Sequence, residues 1–185
     1  IITKLNINNG ILISSDAVFS MDGDCAEIQD LINLKEKFGA ALLIDEAHGI
    51  GVFGDKGQGL VASQNLSDKV ELIMGTFSKS LASIGGFIAG SEEVIHYLKH
   101  NSRSFIFSAS MPPSSVAAAT EAINIMVSEP ERIKKLWENT KYMHKCLVQA
   151  GFRTSEGETP ILPIIVGDDF IAFKICLELQ DSGVF

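Results

Sequence analysis

An apolar segment with no polar side chain on either face, residues 40–44, ends directly at the acidic residue Asp45. Such a segment is typical of a strand in a parallel sheet that helices cover on both faces. Upstream, residues 10–15 predict another buried strand, and apolar residues at helical spacing predict a helix over 26–38 that ends before Gly39. This succession of strand, helix and strand restricts the chain to the α/β folds with a parallel core.

Later segments add strands and helices to this unit. Apolar runs at 70–74 and 85–90 predict two strands so close in the chain that they pair antiparallel, which makes the predicted sheet mixed but mostly parallel. Two further short runs, 105–107 and 161–166, also predict strands. Four more helices are predicted from their caps and prolines: from Ser91 through Leu98, from Pro112 and Pro113 onward, from Ser128 to Gln149, and from Phe170 to Gln180.

A change of pattern near Ser128 divides the chain into two predicted parts. Residues 1–128 contain the mixed sheet and are expected to be part of a large domain, whereas residues 129–185 begin a smaller C-terminal α/β domain. The chain starts at Ile1 without a methionine and stops at Phe185 just as an apolar run begins. We therefore expect it to be a piece of a longer protein.

The balance of charges and the lack of long apolar runs disfavour several classes of protein. With 15 basic and 23 acidic side chains the formal net charge is −8, and only three arginines are present, which disfavours a protein that grips a nucleic-acid backbone. No apolar run approaches the roughly 18 residues of a membrane span and no signal peptide is recognisable, which predicts a soluble, cytoplasmic protein. Three cysteines without a CxxC pattern indicate neither a disulfide framework nor a metal site.

Polar residues near the ends of apolar strands mark the candidate site, because ligands of open α/β sheets gather beyond the carboxyl ends of the strands. The candidates are Ser20, Asp45, His48 and Lys79. Lys79 lies among small hydroxyl residues, which indicates phosphate contacts beside an amine able to form a Schiff base. An aspartate on a separate strand could keep a pyridine nitrogen protonated. These residue types together predict a pyridoxal phosphate site.

Each of these residues also has an ordinary interpretation. A strand-end aspartate is most often a helix cap or turn residue, a lone histidine is usually a hydrogen-bonded structural group, and a lone lysine is usually solvated. The combination is rarer than its members: an aspartate, a histidine three residues later, and a hydroxyl-flanked lysine after the following strand. We therefore favour a cofactor site over three unrelated residues.

Two short motifs resemble ligand-binding loops but lack the context that such loops need. Residues 49–54 match the spacing GxGxxG, yet three polar residues separate them from the strand, and Gly57 and Gly59 prevent a helix from starting there. We expect these glycines to form a loop that approaches a neighbouring segment closely. Residues 21–24 lack the spaced ligands of a calcium loop and are expected to form a turn.

Four segments resemble, in order and spacing, the α-oxoamine synthases, a family of fold-type-I pyridoxal-phosphate enzymes. They are residues 15–24, 45–49, 76–80 and 105–110, and the likeness extends over essentially the whole chain. Members of this family join an amino acid to an acyl-CoA with loss of carbon dioxide. The resemblance implies the fold-type-I architecture, pyridoxal phosphate as cofactor, cofactor binding by the large domain within residues 1–128, and a homodimer with a shared active site.

The resemblance also implies a role at the cofactor for six residues. They are Lys79 for the covalent bond to the cofactor, Asp45 for its pyridine nitrogen, His48 and Ser20 for its phenolic oxygen, Thr76 for its phosphate, and Ser108 for the phosphate bound by the neighbouring subunit. Lys79, His48 and Asp45 are also the expected catalytic residues. The aromatic residue that stacks on the cofactor and the arginine that binds the substrate carboxylate are expected outside the chain, before Ile1 and after Phe185.

The substrates depend on the branch of the family, and the motifs point to more than one. The bacterial serine palmitoyltransferases are the most similar branch over residues 75–90, 107–110, 129–132 and 136–138, which implies L-serine, palmitoyl-CoA and the product 3-ketodihydrosphingosine. Gly49 after His48 is more typical of the 8-amino-7-oxononanoate synthases, and the glycine C-acetyltransferases and 5-aminolevulinate synthases share the motifs. A non-catalytic partner subunit is the alternative from another class, and the presence of Lys79 argues against it.

Overall fold

One sheet of four strands lies at the centre of the computed structural model, which describes residues 10–185. In chain order the strands are β1 (Leu12–Asp16), β2 (Ala41–Asp45), β3 (Leu72–Thr76) and β4 (Gly86–Gly90). They are arranged as β1-β2-β3-β4, with the first three parallel and β4 antiparallel to β3. The predicted mixed, mostly parallel sheet is confirmed.

Seven α-helices and a 3-10 helix, Ser67–Lys69, accompany this sheet in the described part of the chain. The α-helices are α1 (Ile28–Phe38), α2 (Leu60–Ser63), α3 (Glu92–Asn101), α4 (Arg103–Ile106), α5 (Pro113–Ser128), α6 (Glu131–Gln149) and α7 (Asp169–Asp181). The five helices that the sequence predicts correspond to α1, α3, α5, α6 and α7, with small shifts of their boundaries. Between residues 10 and 185, no helix is both long enough and apolar enough to cross a bilayer.

Ser128 does not begin a helix as its spacing to Glu131 suggests. It is the last residue of α5, and its hydroxyl donates to the carbonyl oxygen of Asn124 at 2.7 Å. A serine that bonds back to the preceding turn of its own helix is not available to cap the next one. Helix α6 instead begins directly after Pro130, without a side-chain cap. The division into two domains near Ser128 stays a prediction.

The strand predicted at 105–107 is wrong, because this segment belongs to the helical turn of α4. The Ile106 N–H donates to the carbonyl oxygen of Ser102 at 2.9 Å, and the Phe107 N–H donates to that of Arg103 at 3.0 Å. An apolar run of three residues fits one helical turn as well as a strand, and only pairing with a sheet edge would favour the strand. The apolar side chains of the segment are exposed, that of Phe107 by 80%.

The strand predicted at 161–166 is also wrong. A strand needs a repeated ladder of backbone hydrogen bonds. In the described residues this segment has one such bond to another segment, from the Ile165 N–H to the Arg153 carbonyl oxygen at 2.9 Å. The buried hydroxyl of Thr159 anchors the start of the segment instead: it donates to the carbonyl oxygen of Gly23 at 2.8 Å and accepts the Ile161 N–H at 3.1 Å.

The main hydrophobic core lies between the sheet and α1. Its fully buried side chains include Leu42 and Ile44 of β2 and Ile28 and Ile32 of α1, joined by Val61 of α2. Burial of such side chains is the dominant favourable term in folding. Because β2 lies between β1 and β3, this core fixes all three parallel strands and therefore the edge where their carboxyl ends meet.

Candidate active site

The carboxyl ends of β1, β2 and β3 lie at one edge of the sheet. Asp16 of β1 is in register with Asp45 of β2, and Asp45 is in register with Met74 of β3. Backbone bonds continue past the strand ends: the Ala17 N–H donates to the Asp45 carbonyl oxygen and the Glu46 N–H to the Met74 carbonyl oxygen, both at 2.8 Å. This is the edge at which the sequence predicts a cofactor site.

Asp45, the last residue of β2, is partly buried at this edge. Its Oδ1 accepts the backbone N–H of Ala47 at 2.8 Å. Its Oδ2 has no hydrogen-bond partner among residues 10–185. An ionised carboxylate accepts through both oxygens, so this arrangement orients the group through Oδ1 and leaves Oδ2 able to accept from a ligand.

His48 is partly buried three residues after Asp45. Burial lowers the pKa of its imidazole and the positive charge of Lys79 lowers it further, while the carboxylates of Asp16 and Asp45 act in the opposite direction. These groups belong to the same edge of the sheet, since Asp16 and Asp45 end β1 and β2, and Lys79 follows the end of β3 by three residues. The lowered pKa favours a neutral imidazole at pH 7, which donates from one ring nitrogen and accepts at the other.

Lys79 lies in a tight turn between β3 and β4. The turn is closed by the Ala82 N–H, which donates to the Lys79 carbonyl oxygen at 3.0 Å, and by the Ser83 N–H, which donates to that of Phe77 at 2.7 Å. Ala82 has a φ of +47°, a left-handed conformation that costs a residue with a Cβ about 1 kcal/mol or more. Leu81, only 2% exposed, anchors the turn in the protein interior. The Lys79 side chain is exposed.

Two hydroxyl groups precede Lys79. Thr76 ends β3, and its Oγ1 lies 2.9 Å from the Oγ of Ser78 and accepts the Ser78 N–H at 3.3 Å. Thr76 Oγ1 also donates to the carbonyl oxygen of Gly85 at 3.2 Å. The sequence predicts a role for Thr76 but none for Ser78, although Ser78 is directly beside Lys79.

The two remaining predicted residues lie in different settings. Ser20 is exposed in the turn 19–24, which follows the bond between Ala17 and Asp45 at the end of β2. Ser108 is exposed just after α4, and its hydroxyl donates to the carbonyl oxygen of Ser104. In the described residues no hydrogen bond joins Ser108 to the other predicted site residues.

Glu46 lies at the same edge but is not among the residues that the sequence predicts for the site. It is only 1% exposed, and its carboxylate accepts the backbone N–H groups of Leu60 at 3.0 Å and Val61 at 2.7 Å. Burial raises the pKa of this carboxyl, while the two N–H donors lower it. The available signal in the sequence is an acidic residue directly after a buried strand that is followed by many glycines.

Residues 49–59, here called the glycine loop, approach their neighbours closely, as the sequence predicts. Gly51 has a φ of +80°, and a Cβ on it would lie 2.5 Å from the Cβ of Ser80. At the same place the Ser80 hydroxyl donates to the carbonyl oxygen of Ile50 at 2.6 Å. Gly51, the second glycine of the GxGxxG spacing, therefore serves packing against the Lys79 turn.

Gly59 ends the glycine loop, and we expect its replacement by alanine to be costly. Its φ of 104° and ψ of 171° fall in a region that essentially only glycine adopts, and a Cβ would lie 2.8 Å from Cδ of Glu46. We expect Gly59→Ala to lower the free energy of unfolding by about 2–4 kcal/mol, from backbone strain and displaced hydrogen bonds together. Urea denaturation of the complete protein measures this change.

Gly39→Ala is the matched control for this substitution. Gly39 also has a positive φ, of 60°, but a Cβ on it would meet no atom within 4 Å. Only the left-handed backbone conformation is then penalised, at about 1–2 kcal/mol. Equal losses of stability in the two variants would contradict the close packing of Gly59 against Glu46.

Comparison with known proteins relates the chain to a family. Residues 3–184 match the family model described as aminotransferase class I and II. A serine palmitoyltransferase of Sphingobacterium spiritivorum is 47% identical over 184 residues, which are 100% of the chain and 46% of that protein. An 8-amino-7-oxononanoate synthase of Bacillus subtilis is 44% identical over 174 residues, which are 94% of the chain and 44% of that protein.

A solved structure of a relative has the same fold as this chain. The serine palmitoyltransferase variant from S. paucimobilis with a bound PLP–myriocin aldimine superposes with a TM-score of 0.91 at 32% identity. The superposition covers 100% of this chain and 48% of that one. The chain thus spans about half the length of the relatives that it matches.

Proposed function

Because the chain belongs to the aminotransferase class I and II family and, within it, to the α-oxoamine synthases, we propose that it forms part of an enzyme that condenses an amino acid with an acyl-CoA and releases carbon dioxide. The observation that supports this proposal most is that Asp45, His48 and Lys79 all lie at or just after the carboxyl ends of the neighbouring parallel strands β2 and β3. The cofactor of the family, pyridoxal phosphate, has an aldehyde, a basic ring nitrogen, a phenolic oxygen and a phosphate. An amine, a carboxylate with an unpaired oxygen, a neutral imidazole and neighbouring hydroxyls are suitable partners for these groups.

Asp45 is the proposed partner of the pyridine nitrogen. When bound, pyridoxal phosphate supplies an electron sink for negative charge at the α-carbon of the amino acid, and it does so best with its ring nitrogen protonated. An ionised carboxylate stabilises that proton through a charge-assisted hydrogen bond. The hydrogen bond from the Ala47 N–H to Oδ1 orients the Asp45 carboxylate. Oδ2 can then accept a hydrogen bond from the protonated ring nitrogen.

Lys79 is proposed to bind the cofactor covalently and to move the α-proton of the amino acid. Its ε-amine becomes free when the substrate amine takes its place, and a free amine close to the α-carbon can then act as a general base. The closed turn of residues 77–83, with the strained Ala82, fixes the backbone that carries this amine, and attachment to the cofactor would restrict the amine itself. Restriction of a reacting group to one position lowers the entropic part of the barrier.

The remaining predicted residues are proposed to orient the cofactor. The neutral imidazole of His48 can donate a hydrogen bond to the phenolic oxygen, and Ser20 is the second candidate donor to that oxygen. Thr76 and Ser78 are proposed to donate to the phosphate, because their hydroxyls lie together directly before Lys79. Thr76 would exchange its bond to the Gly85 carbonyl oxygen for this one. A phosphate is suited to hydroxyl and amide donors of this kind.

The proposed reaction is balanced without a further oxidant or reductant. After Lys79 has taken the α-proton, the α-carbon forms a bond with the thioester carbonyl carbon. The C–S bond breaks, and the leaving CoA thiolate takes up a proton from solvent to give free CoA. The bond between the α-carbon and the carboxylate then breaks to release carbon dioxide, and a proton returns to the α-carbon. With L-serine and palmitoyl-CoA, which we propose as the substrates, the product is 3-ketodihydrosphingosine.

A second substrate pair is supported by one specific observation, the 44% identity to a relative named 8-amino-7-oxononanoate synthase. That function would use L-alanine with a pimeloyl thioester, and glycine with acetyl-CoA is the third pair to test. Side-by-side turnover of the three pairs by the complete protein distinguishes them. We expect L-serine with palmitoyl-CoA to have the highest kcat/KM, and a clear preference for either other pair would contradict the proposed substrates.

We propose further that the protein is a homodimer in which Ser108 and Ser110 of one subunit contact the phosphate bound by the other. Ser108 follows α4, a helical turn rather than the expected strand, and its hydrogen bonds in the described residues stay within this turn. Beside it the side chains of Phe105 and Phe107 are 63% and 80% exposed, which is typical of a surface that another chain covers.

Mixing of two inactive variants tests this arrangement. One parent has Lys79→Ala, and the other has Ser108→Asp with Ser110→Asp, whose carboxylates repel a phosphate. If the contacts cross the interface, a heterodimer has one site with both defects and one with neither, so turnover rises above that of either parent. If subunit exchange is confirmed by mass and turnover does not rise, the contacts do not cross the interface.

A further inference from the structure

Glu46 has no role in the proposed mechanism, although its carboxylate has an unusual environment. It is 1% exposed, directly follows Asp45, and accepts two backbone N–H groups at the start of α2, from Leu60 and Val61. A buried carboxylate is costly unless it is fully hydrogen-bonded. Because it lies between two proposed site residues, Asp45 and His48, we infer that this carboxylate contributes to the site and not only to the stability of the core.

Glu46 connects three segments of the chain through three different groups. Its N–H donates to the Met74 carbonyl oxygen of β3, at 2.8 Å. Its carbonyl oxygen accepts the N–H groups of Gly49 and Ile50, at 2.9 and 3.0 Å, where the glycine loop begins. Its carboxylate binds α2, where the glycine loop has just ended. The residue therefore joins the two ends of the glycine loop to the sheet.

Two glycines leave room for the Glu46 carboxylate at the two ends of the glycine loop. A Cβ on Gly49 would lie 1.8 Å from Oε2 of Glu46, and a Cβ on Gly59 would lie 2.8 Å from Cδ. Both positions lack the side-chain atom that would push the carboxylate out of place. The glycine loop is thus shaped around the Glu46 side chain at both of its ends.

The same loop reaches the turn that contains Lys79. The Ser80 hydroxyl donates to the Ile50 carbonyl oxygen at 2.6 Å, and Gly51 packs directly against the Ser80 side chain. A continuous series of contacts therefore runs from Glu46 through Ile50 to Ser80, which is covalently bonded to Lys79. Asp45 is covalently bonded to Glu46, and His48 lies between Glu46 and the loop.

We propose that Glu46 is a positioning residue, which through the glycine loop and Ser80 fixes Asp45, His48 and Lys79 relative to one another around the cofactor. This inference rests on the proposed function, because it assumes that those three residues bind pyridoxal phosphate. Loss of the carboxylate would leave each of the three side chains present but would loosen their spacing. A misplacement of this kind weakens binding and catalysis without removing any contacting group.

Glu71, which lies directly before β3, provides a matched control because its carboxylate, like that of Glu46, binds a backbone N–H. Its carboxylate accepts the backbone N–H of Leu42, at 2.7 Å, and pairs with Lys35. Glu46 thus anchors the carboxyl end of β2 at the site, whereas Glu71 anchors the amino end away from it. Glu46→Gln and Glu71→Gln both replace one carboxylate oxygen by an NH2 group that cannot accept a backbone N–H.

The two variants are compared as complete proteins, well below their melting temperatures, by the Kd for pyridoxal phosphate and by the visible circular dichroism of the bound cofactor. We expect both to melt earlier. Glu46→Gln alone should raise the Kd by roughly ten- to a hundred-fold, the range seen when a residue that orients metal ligands is lost, and should change the circular dichroism. Glu71→Gln should keep both at the wild-type values.

Ser80→Ala is the second variant, for the case in which Glu46→Gln does not fold. It removes only the hydroxyl that joins the Lys79 turn to Ile50, and we expect it to change the circular dichroism in the same direction. A wild-type Kd and spectrum in Glu46→Gln, or equal changes in Glu71→Gln, would overturn the positioning role. If Glu46→Gln does not fold, a wild-type spectrum in Ser80→Ala overturns it. A wild-type protein that does not bind pyridoxal phosphate would overturn the proposed function itself.

Discussion

Replacement of Lys79 by alanine is expected to leave a folded protein that no longer retains pyridoxal phosphate covalently. The Lys79 side chain is exposed, and no hydrogen bond or ion pair joins it to residues 10–185, so we expect stability to change by no more than about 0.5 kcal/mol. Turnover should fall by at least roughly a thousand-fold, because the variant loses both the covalent anchor and the general base. Borohydride reduction followed by peptide mass analysis locates the bound cofactor.

Lys56→Ala is the control for this experiment. Lys56 is an exposed lysine of the glycine loop, and the mechanism assigns no task to its amine. We expect the reduced wild-type protein and the Lys56→Ala variant to have the mass of the cofactor on the peptide with Lys79. Cofactor that stays covalently bound in Lys79→Ala would place the attachment on another residue and contradict the site.

Replacement of Asp45 by asparagine is expected to preserve cofactor attachment but nearly abolish turnover. The asparagine side-chain oxygen can still accept the Ala47 N–H, so the local backbone should be retained. The negative charge that holds a proton on the ring nitrogen is lost. We expect kcat to fall by about a hundred- to ten-thousand-fold, roughly 3–5 kcal/mol at about 1.4 kcal/mol per factor of ten.

Asp16→Asn is the matched control, because Asp16 ends the neighbouring strand in direct register with Asp45. Its carboxylate raises the pKa of His48, so its loss makes the imidazole still more neutral at pH 7. We expect kcat to change by less than about three-fold, as for a charge that acts only at a distance. Equal losses of kcat in Asp16→Asn and Asp45→Asn would contradict this role of Asp45. They would mean that turnover depends on the total negative charge at the edge and not on the Asp45 carboxylate in particular.

The positions of Asp45 and Lys79 at one edge could be predicted because they follow from periodicity and topology. Residues 40–44 are apolar throughout, and such a strand must be covered on both faces. The helix between the first two strands requires them to be parallel, so their carboxyl ends lie together. Each step uses local sequence only, and the observed β2 and β3 agree with it.

The segments 105–107 and 161–166 could not be assigned correctly because a short apolar run does not determine its own pairing. A strand is stabilised by hydrogen bonds to a neighbour, and the presence of that neighbour is a property of the whole fold. Residues 105–107 instead form i to i−4 bonds within one turn. Residues 161–166 follow Thr159, whose hydroxyl binds a carbonyl oxygen far away in the chain.

The hydrogen-bond partners of Glu46 could not be predicted from the sequence, although its place between a buried strand and many glycines was visible there. Its two donors are 14 and 15 residues away, at the start of the short helix α2. An acidic residue beside Asp45 in a loop is usually solvated, since charged side chains are rarely fully buried. Only the close approach of Gly49 and Gly59, which requires the folded loop, shows why a buried carboxylate is accommodated there.

Release of carbon dioxide from carboxyl-labelled L-serine tests the central claim most directly. If the edge at Asp45, His48 and Lys79 catalyses a decarboxylative condensation, labelled carbon dioxide appears only when palmitoyl-CoA is present. The amounts of labelled carbon dioxide and free CoA should be equal. The Lys79→Ala variant should release neither product. Release of carbon dioxide without an acyl-CoA, or of CoA without carbon dioxide for any of the three substrate pairs, would contradict the proposed reaction.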